Sequence, residues 1–135
     1  MDKKELATTA LKMRSMSYTP YSHFCVGAAL LTKDGKIFTG CNAENASYSP
    51  GICAERNAIY KAVSEGYREF TAIAIAGGKE GSEPTDYCPP CGVCRQVIRE
   101  FGKPDMKILL VKAPDDYKEY TLEELLPESF GPENL

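Results

Sequence analysis

The sequence contains no long uninterrupted run of apolar residues. Its first five residues, Met1 to Glu5, lead into a mixed polar and apolar stretch, and no later segment is long enough to span a membrane. A secretory signal needs an apolar core of about 7–15 residues, and a membrane helix needs about 20. The sequence therefore predicts a cytoplasmic protein with no membrane partner.

An excess of basic residues is also missing. The chain has 16 lysines and arginines against 19 acidic residues, which gives a formal net charge of −3. Proteins that bind nucleic acid normally cluster positive charge against the phosphates. The charge balance therefore predicts no nucleic-acid partner and favours a small-molecule substrate.

Internal repeats and low-complexity segments are likewise missing. The composition, 43% hydrophobic and 26% charged residues, is ordinary for a folded globular protein. A chain of 135 residues is long enough for one hydrophobic core and short for two. We expect residues 1–135 to form a single domain.

Histidine is scarce, whereas cysteine is not. The single histidine, His23, lies outside the motifs described below, and we interpret it as a solvated loop residue. Six cysteines could form three disulfides in a small secreted scaffold, but the length permits a real core and no export signal is present. Reduced thiols and metal binding are therefore favoured. Cys25 and Cys41 fall in predicted strands and are interpreted as small buried hydrophobic residues.

Hydrophobic periodicity and turn residues predict alternating helices and strands. Apolar residues at near-helical spacing predict a first amphipathic helix over 3–16, and Asp34-Gly35 predicts a hairpin turn. A capping-box pattern at Thr121 predicts a last short helix, which Pro127 stops. The other predicted elements are strands 24–32 and 37–42, helix 54–65, strand 70–76, surface loop 77–90, helix 92–101 and strand 106–111.

The order of these elements predicts an α/β fold. The order is helix, strand, strand, helix, strand, helix, strand, helix. The hairpin gives an antiparallel pair, and the later strands, each reached through a helix, should run parallel. The prediction is a mixed sheet with helices on both faces, a three-layer α-β-α sandwich.

Three cysteines and one acid form the most informative pattern. Glu55 follows Cys53 by two residues, and Cys91 and Cys94 follow a proline. Both cysteine motifs open predicted helices, where the positive end of the helix dipole lowers the pKa of a thiol. Thiolates bind Zn²⁺ well, three ligands leave a position for water, and a carboxylate that does not bind the metal can transfer protons. The pattern predicts one catalytic Zn²⁺ per chain.

Other uses of these residues stay open. Cys53, Cys91 and Cys94 could build a structural zinc site, although such a site normally has a fourth protein ligand. Cys88 could supply that ligand or form a redox pair, because Cys88 and Cys91 are spaced as Cys-x-x-Cys. Glu55 could serve only to stabilise its own helix.

Four motifs resemble those of the cytidine deaminase family in its small homotetrameric form. The resemblance runs from about residue 6 to 130 and implies a five-stranded mixed sheet, with the fifth strand near 117–121, and a homotetramer. In chain order, the motifs are Phe24-Cys25-Val26-Gly27-Ala28-Ala29-Leu30, Gly40-Cys41-Asn42-Ala43-Glu44-Asn45-Ala46-Ser47-Tyr48, Cys53-Ala54-Glu55-Arg56 and Pro90-Cys91-Gly92-Val93-Cys94-Arg95-Gln96.

The resemblance implies substrate contacts around the metal. Phe24 would stack on the pyrimidine, Asn42 and Glu44 would bind the ribose hydroxyls, and Ala54 would also contact the substrate. More ordinary interpretations remain, because Phe24 could be a core residue and the two polar residues could belong to a turn at the strand end.

Three further roles are implied. Tyr48 and Phe130 would approach the active site of a neighbouring subunit, and Arg56 would hydrogen-bond a thiolate and so offset the negative charge of a metal with three thiolate ligands. Phe130 could instead be a packing anchor near the C-terminus, and Arg56 could be a surface arginine.

The implied reaction is hydrolytic deamination of cytidine and deoxycytidine to uridine and deoxyuridine, with release of ammonia, as in pyrimidine salvage. Water activated at the zinc would attack C4 while Glu55 protonates N3 and then passes a proton to the departing amino group. Two alternatives remain: a deaminase for another aminopyrimidine, such as deoxycytidylate or blasticidin S, and a non-catalytic zinc interaction module. Asn42 and Glu44 suit neutral hydroxyls better than phosphate, and an interaction module has no use for Glu55 beside an open metal position.

Overall fold

The eight predicted helices and strands follow one another in the predicted order, and a ninth element, the strand implied by the family resemblance, precedes the last helix. The structure, a computed structural model, describes residues 1–135. No helix in it is both long and apolar enough to cross a membrane. The elements are α1 (Lys3–Met13), β1 (Phe24–Thr32), β2 (Ile37–Cys41), α2 (Ala54–Ser64), β3 (Phe70–Lys79), α3 (Gly92–Phe101), β4 (Gly102–Ala113), β5 (Asp116–Thr121) and α4 (Leu122–Leu125).

The five strands form one mixed sheet in the order β2-β1-β3-β4-β5. β1 is antiparallel to both of its neighbours, β3 and β4 are parallel, and β5 is antiparallel to β4. β2 and β3 therefore run in the same direction on either side of β1. The predicted parallel course is confirmed for β4 beside β3, and the implied fifth strand is β5. β3 runs parallel to β2 but does not pair with it, because β1 lies between the two strands and pairs antiparallel with both.

Helices cover both faces of the sheet, which confirms the three-layer sandwich. α1 packs on one face, and α2, α3 and α4 pack on the other. Burial of apolar side chains between these layers is the main favourable contribution to folding. The α1 face is built largely from small side chains, whereas the opposite face carries large ones: Ala29, Ala72, Ala74 and Ala76 against Leu30, Ile73, Ile75 and Ile108.

Two glycines allow helices to lie close to the sheet. A Cβ atom on Gly27 would lie 2.1 Å from the carbonyl oxygen of Ala10 in α1. One on Gly40 would lie 2.3 Å from the carbonyl oxygen of Ala54 in α2. Either helix would have to move to admit a side chain, which is a common reason for glycine within a strand. Gly40 therefore holds the first turn of α2 against β2, immediately after Cys53.

The prediction of a surface loop over 77–90 is wrong for residues 77–79, which belong to β3. β3 continues to Lys79, and Gly77 and Gly78 are buried within it. The glycines predicted a turn, but here they make room for other groups, since a Cβ atom on Gly77 would lie 2.6 Å from Cys88 Sγ. β4 is also longer than predicted and begins directly after α3.

Candidate active site

Two helices begin at the same edge of the sheet. Because β2 and β3 run in the same direction, their C-terminal ends lie at one edge, and α2 and α3 follow these ends in the chain. Cys53 is the N-cap residue of α2, and Cys91 is that of α3. The unpaired N–H groups and the positive dipole end of each helix favour a thiolate there. The fold thus joins two motifs that are 38 residues apart.

The sulfur atoms of Cys53, Cys91 and Cys94 form one group. All three lie within 4.8 Å of one another, and Cys53 Sγ is 3.9 Å from Cys91 Sγ. Two sulfurs bound at about 2.3 Å to one tetrahedral Zn²⁺ lie roughly 3.8 Å apart, so the spacing fits this ion. The backbone N–H of Cys94 donates a hydrogen bond to Cys91 Sγ at 3.4 Å. This hydrogen bond fixes the Cys91 thiol against the first turn of α3, which also carries the Cys94 thiol.

Hydrogen bonds and charge stabilise the thiolate of Cys53. The hydrogen bond from Cys94 lowers the pKa of Cys53 to about 5, and Arg56 contributes a further hydrogen bond, from Nη2 to Sγ at 3.4 Å. The same sharing of a proton raises the pKa of Cys94. The thiolate contact in turn raises the pKa of Arg56, which keeps the guanidinium charged. A bound cation would replace the shared proton, because metal binding to thiols releases protons.

Glu55 is buried beside this group. Only 4% of its surface is exposed, in the first turn of α2. Burial raises the pKa of the Glu55 carboxyl to about 7, and the negative charge of Cys53 adds to the rise. A carboxyl group that titrates near neutral pH can both accept and donate a proton, as a general acid and base must.

A cavity of about 900 Å³ opens in front of the thiols and Glu55. Its volume lies within the range of small-molecule sites. Four of the six predicted substrate residues line it, namely Asn42, Glu44, Tyr48 and Ala54. Its other lining residues are Tyr21, Ser22, Val26, Ala43, Asn45, Ala46, Gly51, Ile52, Cys53, Glu55, Arg56, Cys88, Pro89 and Cys91.

The chain just before and within β1 holds Asn42 and Glu44 in place. Asn42 accepts from Val26 N–H and donates to the carbonyl oxygen of Phe24, both at 2.9 Å. Glu44 accepts from the backbone N–H groups of Tyr21 and Ser22 and from the Ser22 hydroxyl. These hydrogen bonds, that of the hydroxyl first, lower the pKa of Glu44, so the carboxylate stays charged. Sequence reasoning missed Tyr21 and Ser22, because no local signal links them to a residue beyond β2.

Phe24 and Phe130 do not line the cavity. Phe24 begins β1 and is 42% exposed. Its ring lies near Gly77, where an added Cβ atom would approach the ring to 3.0 Å. Tyr48, which does line the cavity, is 97% exposed.

Phe130 lies on a C-terminal segment that α3 anchors. Its side chain is 60% exposed, while its carbonyl oxygen accepts a hydrogen bond from Gln96. Arg99 is buried and binds the Ser129 hydroxyl and the carboxylate of Glu133. The helix that carries Cys94 at its start therefore also positions this segment.

The remaining sulfur and imidazole groups lie outside the thiol group. Cys88 is half-buried, and burial raises the pKa of its thiol to about 11. Cys25 is buried and Cys41 half-buried, both within strands as predicted. His23 is exposed, with its Nδ1 3.0 Å from the carboxylate of Glu80.

Known proteins resemble this chain in both sequence and fold. Residues 1–110 match the family described as the cytidine and deoxycytidylate deaminase zinc-binding region. The cytidine deaminase of Sporosarcina psychrophila is 47% identical over 135 residues, which are 100% of this chain and 96% of that protein. The cytidine deaminase of Halalkalibacterium halodurans is 46% identical, with 100% and 98% covered.

A crystal structure of cytidine deaminase from Burkholderia pseudomallei superposes with a TM-score of 0.86 at 45% identity, over 96% of this chain and 100% of that one. Together with the family's zinc-binding region, the thiol group identifies Zn²⁺ as the cofactor, as predicted. These similarities confirm the resemblance seen in the sequence motifs: the chain belongs to the cytidine and deoxycytidylate deaminase family.

Proposed function

We propose that this protein is a hydrolase that converts cytidine and deoxycytidine to uridine and deoxyuridine with release of ammonia, a reaction of pyrimidine salvage. The observation that carries the proposal is the buried Glu55 beside three clustered thiols, of which those of Cys53 and Cys91 line the same cavity as Glu55. The similar proteins named cytidine deaminase support the same activity.

Cys53, Cys91 and Cys94 hold the zinc ion in this proposal. When bound, Zn²⁺ supplies a Lewis acid that activates water for attack on C4 of the pyrimidine. Three thiolates bring more negative charge than one divalent ion offsets. Arg56 compensates for part of it, because its guanidinium donates to Cys53 Sγ and withdraws electron density from that sulfur.

Glu55 moves the protons of the reaction. Its carboxylate takes one proton from the attacking water and donates it to N3 as C4 is attacked, which makes the ring a better electrophile. The carboxylate then accepts the remaining proton of the hydroxyl group that has added at C4 and delivers it to the amino group, which leaves as ammonia while the C4 carbonyl forms. Burial favours both steps, since it raises the pKa of Glu55 to about 7, close to the working pH.

In this proposal Asn42 and Glu44 bind the sugar and Ala54 contacts the base, whereas a contact between Phe24 and the base requires the Phe24 ring, which does not line the cavity, to turn toward it. The anionic Glu44 accepts hydrogen bonds from neutral hydroxyls and repels a phosphate. Arg56 is the one basic residue among those that line the cavity, and it is already paired with Cys53. This charge distribution favours a nucleoside over deoxycytidylate. The buried Glu55 argues against a non-catalytic zinc module, which would gain nothing from burying an acid there.

A homotetramer in which Tyr48 and Phe130 approach a neighbouring active site completes the proposal. Both aromatic side chains are largely exposed in the single chain, and one of them lies on the segment that Arg99 and Gln96 anchor. A cytoplasmic location is also proposed, because all six cysteines are free, as a reducing compartment keeps them. Cell fractionation tests this location.

Substrate choice is the first prediction and the test of the function. Cytidine and deoxycytidine should both be deaminated, whereas cytosine should be poor because it leaves the sugar-binding groups Asn42 and Glu44 without their ligand partners. Cytidine monophosphate should be poor because of Glu44. Ammonia release, or the ultraviolet change on formation of uridine, measures this across these compounds and blasticidin S. A best substrate that carries a phosphate would overturn the role of Glu44, and no release from any compound would favour the zinc module.

The second prediction concerns Glu55. Glu55→Gln preserves the shape of the side chain but cannot exchange protons, so kcat should fall by about 10²–10⁴-fold while the zinc content stays unchanged. Glu65→Gln is the matched control, because Glu65 is exposed at the other end of α2. Near-normal turnover of Glu55→Gln would assign proton transfer to another residue.

The third prediction concerns the metal ligands. Cys91→Ala and Cys94→Ala should each lose zinc, measured by elemental analysis of the purified protein, because two thiolates hold the ion much more weakly than three. Cys88→Ala should retain one zinc per chain, since Cys88 lies outside the thiol group. Loss of zinc from Cys88→Ala would instead make Cys88 a fourth ligand and the site a closed structural one.

The fourth prediction concerns assembly. The active enzyme should sediment as a tetramer at assay concentration, and Phe130→Ala should raise KM without releasing zinc. A fully active monomer would contradict the contribution of a neighbouring subunit.

A further inference from the structure

The hydroxyl group of Ser22 connects two parts of the cavity wall. It donates a hydrogen bond to Glu44 Oε2 and accepts one from the backbone N–H of Phe24 at 3.1 Å. One side chain thus contacts both the carboxylate on the sugar side of the cavity and the first residue of β1. Turn serines commonly hydrogen-bond the backbone two residues on, but the second bond, to Glu44, reaches a residue 22 positions away.

The backbone around Ser22 is shaped to receive a carboxylate. The consecutive N–H groups of Tyr21 and Ser22 both point to Glu44 Oε1, at 3.0 and 3.1 Å. His23 follows with a left-handed φ of 56°, which turns the chain into β1. Successive N–H groups in such a turn form a concave site for anions. Here the anion is a side chain of the protein itself.

The Glu44 carboxylate has more hydrogen-bond acceptor positions than the protein fills. A carboxylate offers about four lone-pair positions, and Tyr21 and Ser22 together supply three donors to Glu44. About one acceptor position therefore remains, on a residue that lines the cavity. Removal of the Ser22 hydroxyl would free the Oε2 atom to rotate or to bind water.

The main chain of Phe24 is held from both sides by this arrangement. Its N–H group donates to Ser22, which in turn contacts Glu44, and its carbonyl oxygen accepts from Asn42. Asn42 and Glu44, the two residues proposed to contact the sugar, are therefore linked by hydrogen bonds that pass through Ser22 and Phe24.

We propose that Ser22 is a positioning residue which holds Glu44 against the start of β1, so that one sugar hydroxyl is recognised at a fixed place in the cavity. The proposal rests on the proposed sugar-binding role of Glu44. Ser22 contacts no reacting atom, so its effect is on substrate binding rather than on proton transfer.

The experiment compares Ser22→Ala with Ser22→Thr, which retains a hydroxyl, and with the control Ser64→Ala, whose hydroxyl donates to a backbone carbonyl within α2. KM and kcat are measured for cytidine and for 2′,3′-dideoxycytidine. Ser22→Ala should raise KM for cytidine about 3- to 10-fold, the range expected for loss of one hydrogen bond, and leave kcat nearly unchanged. KM for the dideoxy compound should change less than twofold, because that substrate lacks the hydroxyls that Glu44 would bind. Ser22→Thr should retain most of the affinity for cytidine, and Ser64→Ala should behave as the unchanged enzyme.

Combining Ser22→Ala with Glu44→Ala tests the positioning role of Ser22 separately from the sugar-binding role of Glu44. In Glu44→Ala, the further change Ser22→Ala should not raise KM for cytidine again, because the group that Ser22 positions is gone. If Glu44→Ala alone leaves KM for cytidine unchanged, the sugar-binding role of Glu44 fails. If Glu44→Ala raises KM but Ser22→Ala does not, or if Ser22→Ala weakens both substrates equally, the role of Ser22 fails. The melting temperature of each variant verifies that it is folded, and Ser22→Gly provides a second variant without the hydroxyl.

Discussion

The common direction of β2 and β3 is the constraint on which the site depends. It brings the C-terminal ends of both strands, and hence the first turns of α2 and α3, to one edge of the sheet. Each helix contributes a cysteine as its N-cap, so the electrostatics of a helix end act twice on one small volume. Gly40 keeps the first of these turns against the sheet. A cysteine beyond the first turn of either helix would have neither the neighbouring thiols nor the electrostatic field of the helix end.

The two carboxyl groups of the site, those of Glu55 and Glu44, lie in opposite electrostatic surroundings. Glu55 is buried next to groups that become thiolates, and this combination makes its ionisation costly in the absence of a cation. Arg56 and a divalent ion relieve the cost from the other side. Glu44, by contrast, is half-buried and accepts hydrogen bonds from Ser22 and Tyr21 that lower its pKa, so it stays ionised. Two carboxylates in one cavity are thus given different protonation states by their surroundings, as acid–base chemistry beside the recognition of a neutral ligand requires.

Some elements could be predicted from the sequence more accurately than others, and the reasons are physical. α2 and α3 were predicted to within about a residue, because apolar periodicity and the glycines after each helix are local signals. The three cysteines and Glu55 were found for the same reason, since short spacings reveal them. The end of β3 was missed because two glycines that predict a turn are needed instead for close packing, Gly77 against Cys88 and Gly78 against Pro84. Ser22 was missed because its role exists only once the hairpin brings Glu44 back to it.

The anchoring of Phe130 by α3 has a consequence for the order in which the protein is completed during synthesis. Arg99 is buried, yet Ser129 and Glu133, its partners, are translated 30 and 34 residues later. Until those residues emerge from the ribosome, α3 carries a cation that cannot be buried without a counter-charge. The last turn of α3 therefore depends on residues that are made only after α4.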